Sequence, residues 1–296
     1  MLRTLSIILA LATTPTWAQE VSIQTYSGIK NAPENPENVA VFDFSAFDSL
    51  TALGVEVQGL VAPVPLPYLQ EAAKGTAPVG SLFEPDFEAV FAMQPDLIIA
   101  GGRSSKQVPE LAKIAPAIDM TVWADTVGEG LLRLAAYGQI FDREEQAQAL
   151  TAAFNAKVDE AKTLAADQGG ALILMTNGPK VSAYGAGGRF GWLHNRLGLK
   201  EAVPNLEKTT HGEAISFEFI RDAQPQILIV IDRLAAIGQE GASAQTTLDN
   251  PLVHDTPAWQ SGRVIYLSSG PIYIAGGGIQ SMNLIVDEIL AGLKDK

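Results

Sequence analysis

The chain of 296 residues contains no cysteine. That excludes disulfide bridges, thiolate metal sites and a cysteine nucleophile, and it leaves no thiol at which a lipid anchor could be attached. Positive charge is scarce as well. Twenty Lys and Arg stand against 33 Asp and Glu, a formal net charge of -13. This balance argues against nucleic acid or an anionic membrane surface as partner, and it makes clustered arginines conspicuous. After the first residues no apolar run is long enough to span a bilayer. Catalytic signatures are missing too: there is no GxGxxG, P-loop, GxSxG or HExxH, and no nucleophile stands beside a base. The glycine-rich stretch 185–191 (GAGGRFG) lacks dinucleotide spacing and the acidic residue that should follow it. An enzyme has no residues to stand on.

What is present begins with a leader. Residues 1–18 read MLRTLSIILALATTPTWA, with Arg3 as the positive end, a short apolar core, and a small-residue site ending at Ala18. This is the pattern of a secretory signal peptide. Cleavage after Ala18 removes one positive charge and predicts a mature chain beginning at Gln19 with a net charge of -14. A protein of the Gram-negative periplasm without a lipid anchor is the simplest fit.

One stretch occurs twice. Residues 87–103 read FEAVFAMQPDLIIAGGR, and residues 217–233, at an offset of 130, read FEFIRDAQPQILIVIDR. Phe87/Phe217, Glu88/Glu218, Gln94/Gln224, Pro95/Pro225 and Arg103/Arg233 coincide. Each copy predicts a short amphipathic helix stopped by proline, an all-apolar strand buried on both faces, and an arginine just past it. In open α/β sheets ligands bind at the C-terminal ends of the strands. Two matched copies therefore predict two similar lobes, each offering a cation to one cleft.

The rest of the chain reads as α/β. Residues 38–44 predict a buried strand, and 45–53 a helix with Ser45 as N-cap and Asp48 completing a weak capping box. Strands are expected at 21–26 (an edge), 55–60, 120–123, 171–176, 180–184 and 264–267. Helical turns or helices are expected at 68–74, 108–114, 192–197 and 247–253, and a last helix after the glycines at 276–278. Residues 127–168 are helical almost throughout, with a second start at Asp142. The organisation predicted is a leader (1–18), an N-terminal lobe (19–140), a linking helix (141–168) that joins the lobes as a strut, and a C-terminal lobe (169–296).

Three arginines fall in loops after predicted strands: Arg103, Arg189 and Arg233. A guanidinium is always charged, presents a fixed donor fork to oxyanions and stacks on aromatic rings. The alternative for any one of them is a surface ion pair. His211 lies in a polar loop and Tyr273 in residues 270–276 (GPIYIAG), both expected at the same face. Imidazole and phenolate suit a ferric ion, although a solvated histidine and a half-buried tyrosine with a wet hydroxyl remain alternatives. His194 and His254 read as structural.

With these residues in view, the chain resembles the periplasmic siderophore-binding proteins of ABC importers, in particular the ferric-catecholate binders. The resemblance rests on the segment around Arg103 (IIAGGRSSKQVPELAKIAP), the RFG at Arg189, the THG at His211, the DR at Arg233 and the IYIAGGG at Tyr273. It implies two Rossmann-like lobes bridged by one long α-helix. It implies that Arg103, Arg189 and Arg233 attract an anionic iron complex, and that His211 and Tyr273 complete the iron's coordination when the siderophore supplies four donors. It also implies that Glu88 and Glu218 dock on an inner-membrane ABC permease. The stretch 268–271 (SSGP) departs from the aromatic neighbours expected before Tyr273. No intrinsic cofactor is implied; ferric iron arrives inside its siderophore, and a monomer is expected. A haem or cobalamin binder of the same fold is the nearest alternative. A divalent-metal binder would need more His and carboxylate ligands, and a secreted enzyme with a two-lobed cleft is the remaining class.

Overall fold

Short helices alternating with apolar strands build two sheets, one after the other along the chain. The computed structural model describes residues 19–206, 209 and 211–294; the leader lies outside the described residues. The chain opens with β1 (Glu20–Thr25) and β2 (Gly28–Pro33), an antiparallel hairpin. The expected edge strand is thus half of a separate two-stranded ribbon, because Gly28, at φ 100°, turns the chain straight back on itself.

The first sheet contains β3 (Val39–Val41), then α1 (Phe44–Ala52), β4 (Gly59–Leu60), β5 (Ala77–Pro78), α2 (Phe87–Met93), β6 (Leu97–Ala100), α3 (Val108–Leu111) and β7 (Ala117–Asp119). Its order is β5-β4-β3-β6-β7, all parallel. Every side chain of β3 and β6 is buried, as strands covered on both faces require. The N-cap of α1 is Asp43, whose carboxylate accepts from the N–H of Ser45. Ser45 is therefore not the cap, as a carboxylate on an extended residue takes that place. The strand expected at 55–60 shrinks to Gly59–Leu60, that at 120–123 lies earlier at Ala117–Asp119, and the helical turn at 68–74 is a 3₁₀ turn at Pro67–Leu69.

Two helices follow, α4 (Thr126–Ile140) and α5 (Glu144–Ala165), broken where Asp142 takes φ 53°. At 22 residues α5 spans about 33 Å at 1.5 Å per residue. The second sheet contains β8 (Gly170–Asn177), β9 (Lys180–Tyr184), α6 (Trp192–Leu197), β10 (Lys200–Glu201), β11 (Glu213–Ile215), α7 (Phe217–Ala223) and β12 (Ile227–Asp232). Short helices α8 (Arg233–Ala236), α9 (Ala244–Leu248), α10 (Pro251–His254) and α11 (Pro257–Gln260) lead to β13 (Val264–Tyr266), then α12 (Ser269–Tyr273) and α13 (Ile279–Lys294). The order is β11-β9-β8-β12-β13, with β10 also on β8. Strands β8, β12 and β13 are parallel, whereas β9 runs against β8.

The repeat is reproduced down to its caps. Both α2 and α7 have seven residues, a side-chain N-cap (Asp86, Ser216) and a left-handed glutamine at the C-cap, Gln94 at φ 51° and Gln224 at φ 44°. The final helix α13 packs along α5 and against α1. Ion pairs Lys157–Asp287 and Lys294–Glu160, each 2.7 Å, tie it to α5.

Candidate functional site

The C-terminal ends of β6 and β12 deliver two arginines by the same local route. After β6 the chain enters a 3₁₀ helix, Gly102–Gln107, whose second residue is Arg103. After β12, Asp232 caps α8 and Arg233 is its first residue. Arg189 comes by another path. It lies beyond β9, which is antiparallel, so its loop leaves the opposite end of the sheet from Arg233 (Tyr184 pairs with Ile173, Lys180 with Asn177). The strand-end rule therefore holds for two arginines and not for the third. The glycine-rich loop returns Arg189 to the cleft through a turn so tight that a Cβ on Gly191 would lie 2.1 Å from the carbonyl oxygen of Ala186.

All three guanidinium groups converge on Tyr273, the last residue of α12. Arg189 Nη2 donates to its main-chain carbonyl at 2.7 Å and Arg103 Nη2 to the same oxygen at 3.2 Å. Arg233 Nε lies 3.2 Å from the phenolic oxygen, and its Nη1 donates to Asn177 Oδ1 at 3.2 Å. The guanidinium carbons sit 4.2 Å (Arg189), 5.6 Å (Arg103) and 5.9 Å (Arg233) from the centre of the tyrosine ring, within cation–π range. Among the described residues none of the three is in an ion pair with a carboxylate. Their charges are gathered on dipoles and a ring, so the cluster keeps its net positive charge.

The electrostatics follow from this crowding. Burial lowers the pKa of Arg103, and the neighbouring Arg189 lowers it further. For Tyr273, burial pushes the phenol up, but the hydrogen bond from Arg233 and the charges of Arg189 and Arg233 outweigh it, leaving the pKa below its ordinary value. Burial raises Tyr184 to about 12 and raises the carboxyl of the buried Asp43, which lines the cleft near Arg103. Asp43 is steadied by the Ser45 hydroxyl at 2.6 Å.

Asp43, Arg103, Arg189 and Tyr273 line a cleft of about 860 Å³, whereas Arg233 lies behind the Tyr273 hydroxyl and is not part of the lining. Arg103 and Lys106 come from the first lobe and Gly188, Arg189 and Tyr273 from the second half of the chain. Phe83 and Trp123 stand at its edge, 63% and 64% exposed. Sequence reasoning missed both, as well as Lys106. The signal available was their position in loops after strand ends.

His211 is not gathered with the others. Its side chain is exposed, its carbonyl accepts from the Tyr184 hydroxyl at 2.9 Å, and it does not line the cleft, although Thr209 does. His194 is buried with Nδ1 2.9 Å from the carbonyl of Leu199, and burial lowers its pKa. His254 stacks on Trp259 and pairs with Asp249 at 3.0 Å. Among the described residues, no group of three or more histidines or carboxylates is placed to hold a metal ion. Glu88 and Glu218 occupy equivalent, exposed positions in the first turns of α2 and α7.

Comparison with known proteins agrees with this architecture. The Peripla_BP_2 family of periplasmic binding proteins matches residues 11–271. The petrobactin-binding protein YclQ of Bacillus subtilis is 38% identical over 267 residues, covering 88% of this chain and 84% of that protein. Its crystal structure superposes with a TM-score of 0.88, covering 94% of this chain and all of that one. The ferric-anguibactin-binding protein FatB of Vibrio anguillarum is 32% identical over 269 residues (87% and 82% of the two chains). The catecholate-siderophore-binding protein VctP of Vibrio cholerae is 30% identical at a TM-score of 0.86, covering 92% of this chain and 100% of its own. With a family match over most of its length and the same two-lobed α/β fold, this chain belongs to the periplasmic binding proteins.

Proposed function

We propose that the protein captures an anionic ferric siderophore of the catecholate type in the cleft between its lobes and presents it to an ABC permease of the inner membrane. The observation that carries this reading is the convergence of Arg103, Arg189 and Arg233, without a carboxylate ion pair among the described residues, on Tyr273 in a protein of net charge -13. A local positive well in an acidic protein focuses the field on one anionic guest. A formal tris-catecholate carries three negative charges and a bis-catecholate one, and three guanidinium forks from different loops match either. YclQ, named for petrobactin, FatB, named for ferric anguibactin, and VctP, named for catecholate siderophores, support this reading.

In this reading residues 19–140 and 169–296 form the two lobes and 141–168 the link. The leader is removed after Ala18, and the protein works in the periplasm without a lipid anchor. Glu88 and Glu218, one on each copy of the repeat, meet basic residues of the permease. Tyr273, with its phenol favoured toward ionisation, supplies one donor to an iron left with open positions. His211, exposed and outside the cleft lining here, is the candidate for the other.

The test is a titration of the purified protein with a ferric catecholate, followed by its visible charge-transfer band, beside a parallel titration with haemin. Saturable binding of the catecholate complex with none of haemin is the expected result. The reverse result would reassign the cleft to a porphyrin.

A further inference from the structure

The register of the second sheet sets an asparagine behind Tyr273. In the parallel pair of β8 and β12, Thr176 stands opposite Asp232, so Asn177 and Arg233 leave the two strands side by side. Arg233 divides its guanidinium between two partners. Its Nη1 donates to Asn177 Oδ1 and its Nε to the Tyr273 hydroxyl, each at 3.2 Å. Tyr273 lines the cleft, but neither Arg233 nor Asn177 does, so both meet the tyrosine from its far side.

The backbones at both ends of this bridge are braced. Past Asn177 the chain turns at Gly178 (φ 58°), whose carbonyl accepts from Thr247 Oγ1 at 2.9 Å. On the other strand, Asp232 takes the N–H of Ala235 with one carboxylate oxygen (3.1 Å) and that of Ala244 with the other (2.8 Å). Its own N–H donates to Ser269 Oγ at 2.9 Å, which ties the start of α8 to the start of α12, the helix that ends in Tyr273. The arginine side chain between these anchors is long, and a single bond to a phenol would leave it much of its rotamer freedom. The second bond, to Asn177, takes that freedom away. Asn177 is also neutral, so Arg233 keeps a charge that a carboxylate at this place would offset.

The consequence falls on the tyrosine. Its carbonyl is held by Arg103 and Arg189, so a fixed Arg233 decides where the hydroxyl end stands. A donor atom works on a ligand only if it is held to within about 0.5 Å by side chains that are themselves locked. We propose that Asn177 is a positioning residue: through Arg233 it fixes the Tyr273 hydroxyl where an iron with open positions can take it, and so raises the affinity for tetradentate complexes relative to hexadentate ones. This inference rests on the reading in which Tyr273 supplies a donor to the iron, and it adds the residue that prepares that donor.

The experiment is a double-mutant cycle between Asn177→Ala and Tyr273→Phe. The probes are ferric complexes of two synthetic chelators, one carrying two catechols on a diamine and the other three on a triamine. Kd and the visible charge-transfer band are measured for the parent, both single variants, the double variant, Asn177→Asp and Arg233→Lys. Asn177→Ala should weaken the tetradentate complex about fivefold and the hexadentate one less than about twofold, and should move the band of the bound tetradentate complex. In the Tyr273→Phe background the same substitution should change neither affinity nor band. Asn177→Asp keeps the acceptor oxygen and adds a negative charge, so it should weaken both anionic complexes alike and leave their ratio parental. Arg233→Lys breaks the same two-point grip without touching the turn at Gly178, and should show the same loss of preference even where the alanine variant melts early. Equal losses on both probes from Asn177→Ala and Arg233→Lys, parental affinities in both, or a loss that persists without the tyrosine hydroxyl would overturn the positioning role. A Tyr273→Phe variant that discriminates between the probes as the parent does would instead overturn the donor reading on which that role rests.

Discussion

Ser281 donates its backbone N–H to the carboxylate of Asp48 at 2.8 Å, across 233 residues of sequence. The same carboxylate accepts from the N–H of Gln280 at 2.7 Å and from the Tyr68 hydroxyl at 2.6 Å. Asp48, on α1 and fully buried, thereby satisfies the open N–H groups at the start of α13. No Cβ is tolerated on Gly278, where one would lie 2.5 Å from the Asp48 carboxyl carbon. The helix that follows the Tyr273 segment is thus held from the first lobe.

Burial pushes the pKa of Asp48 from 3.8 up to about 7, with the hydrogen bonds pulling against it. A folded pKa above the unfolded one means that folding takes up a proton between the two values. The stability this group contributes is complete below about 3.8 and is lost as pH rises toward about 7. Asp48→Asn cannot titrate, and it sets an amide against two backbone donors. It should cost about 1–3 kcal/mol at pH 5, and the gap to the parent should narrow between pH 5 and pH 8. Urea unfolding at both pH values reads this, and a gap that widens with pH would contradict it.

The arginines are expected to act on affinity rather than on folding. Arg103→Ala, Arg189→Ala and Arg233→Ala should each weaken ferric-catecholate binding by about 1.5–3 kcal/mol, roughly 10- to 150-fold. The salt dependence of binding should fall as each charge is removed. Calorimetric titration at two ionic strengths provides the check, and three variants with parental affinity would reduce these residues to surface charge.

Tyr273→Phe keeps the ring on which the three guanidiniums lie and removes the phenolic oxygen. A hexadentate tris-catecholate fills all six ferric positions, whereas a tetradentate bis-catecholate leaves two open. Tyr273→Phe and His211→Ala should therefore weaken the tetradentate complex more than the hexadentate one. The charge-transfer band of the bound tetradentate complex should shift in the parent and not in Tyr273→Phe. Equal losses with an unchanged band would make Tyr273 a wall of the cleft only.

Replacing both Glu88 and Glu218 by Arg should abolish uptake while affinity stays within about threefold, below ~1 kcal/mol. Both residues are exposed and neither lines the cleft. Radiolabelled iron uptake in cells, paired with binding in vitro, separates the two effects; surviving uptake would remove the glutamates from the docking surface.

Local rules were enough for much of this molecule. The two copies of the Phe-Glu…Gln-Pro…Arg stretch determined two seven-residue helices, two buried strands and two arginines at strand ends, because helix period, proline and apolar runs act over a few residues. The scarcity of positive charge singled out the arginines before any coordinates. Tertiary structure decided what those groups meet. It brought Arg189 from the far end of an antiparallel strand to the carbonyl of Tyr273, and left His211 exposed outside the cleft lining. It made Asp43 rather than Ser45 the cap of α1, and gave Asp48 a helix to hold more than two hundred residues away. Phe83, Lys106 and Trp123 came to line one cleft in the same way. A buried donor or acceptor must find a partner wherever the packed chain supplies one, and that partner is chosen by proximity in space, which no sequence period encodes.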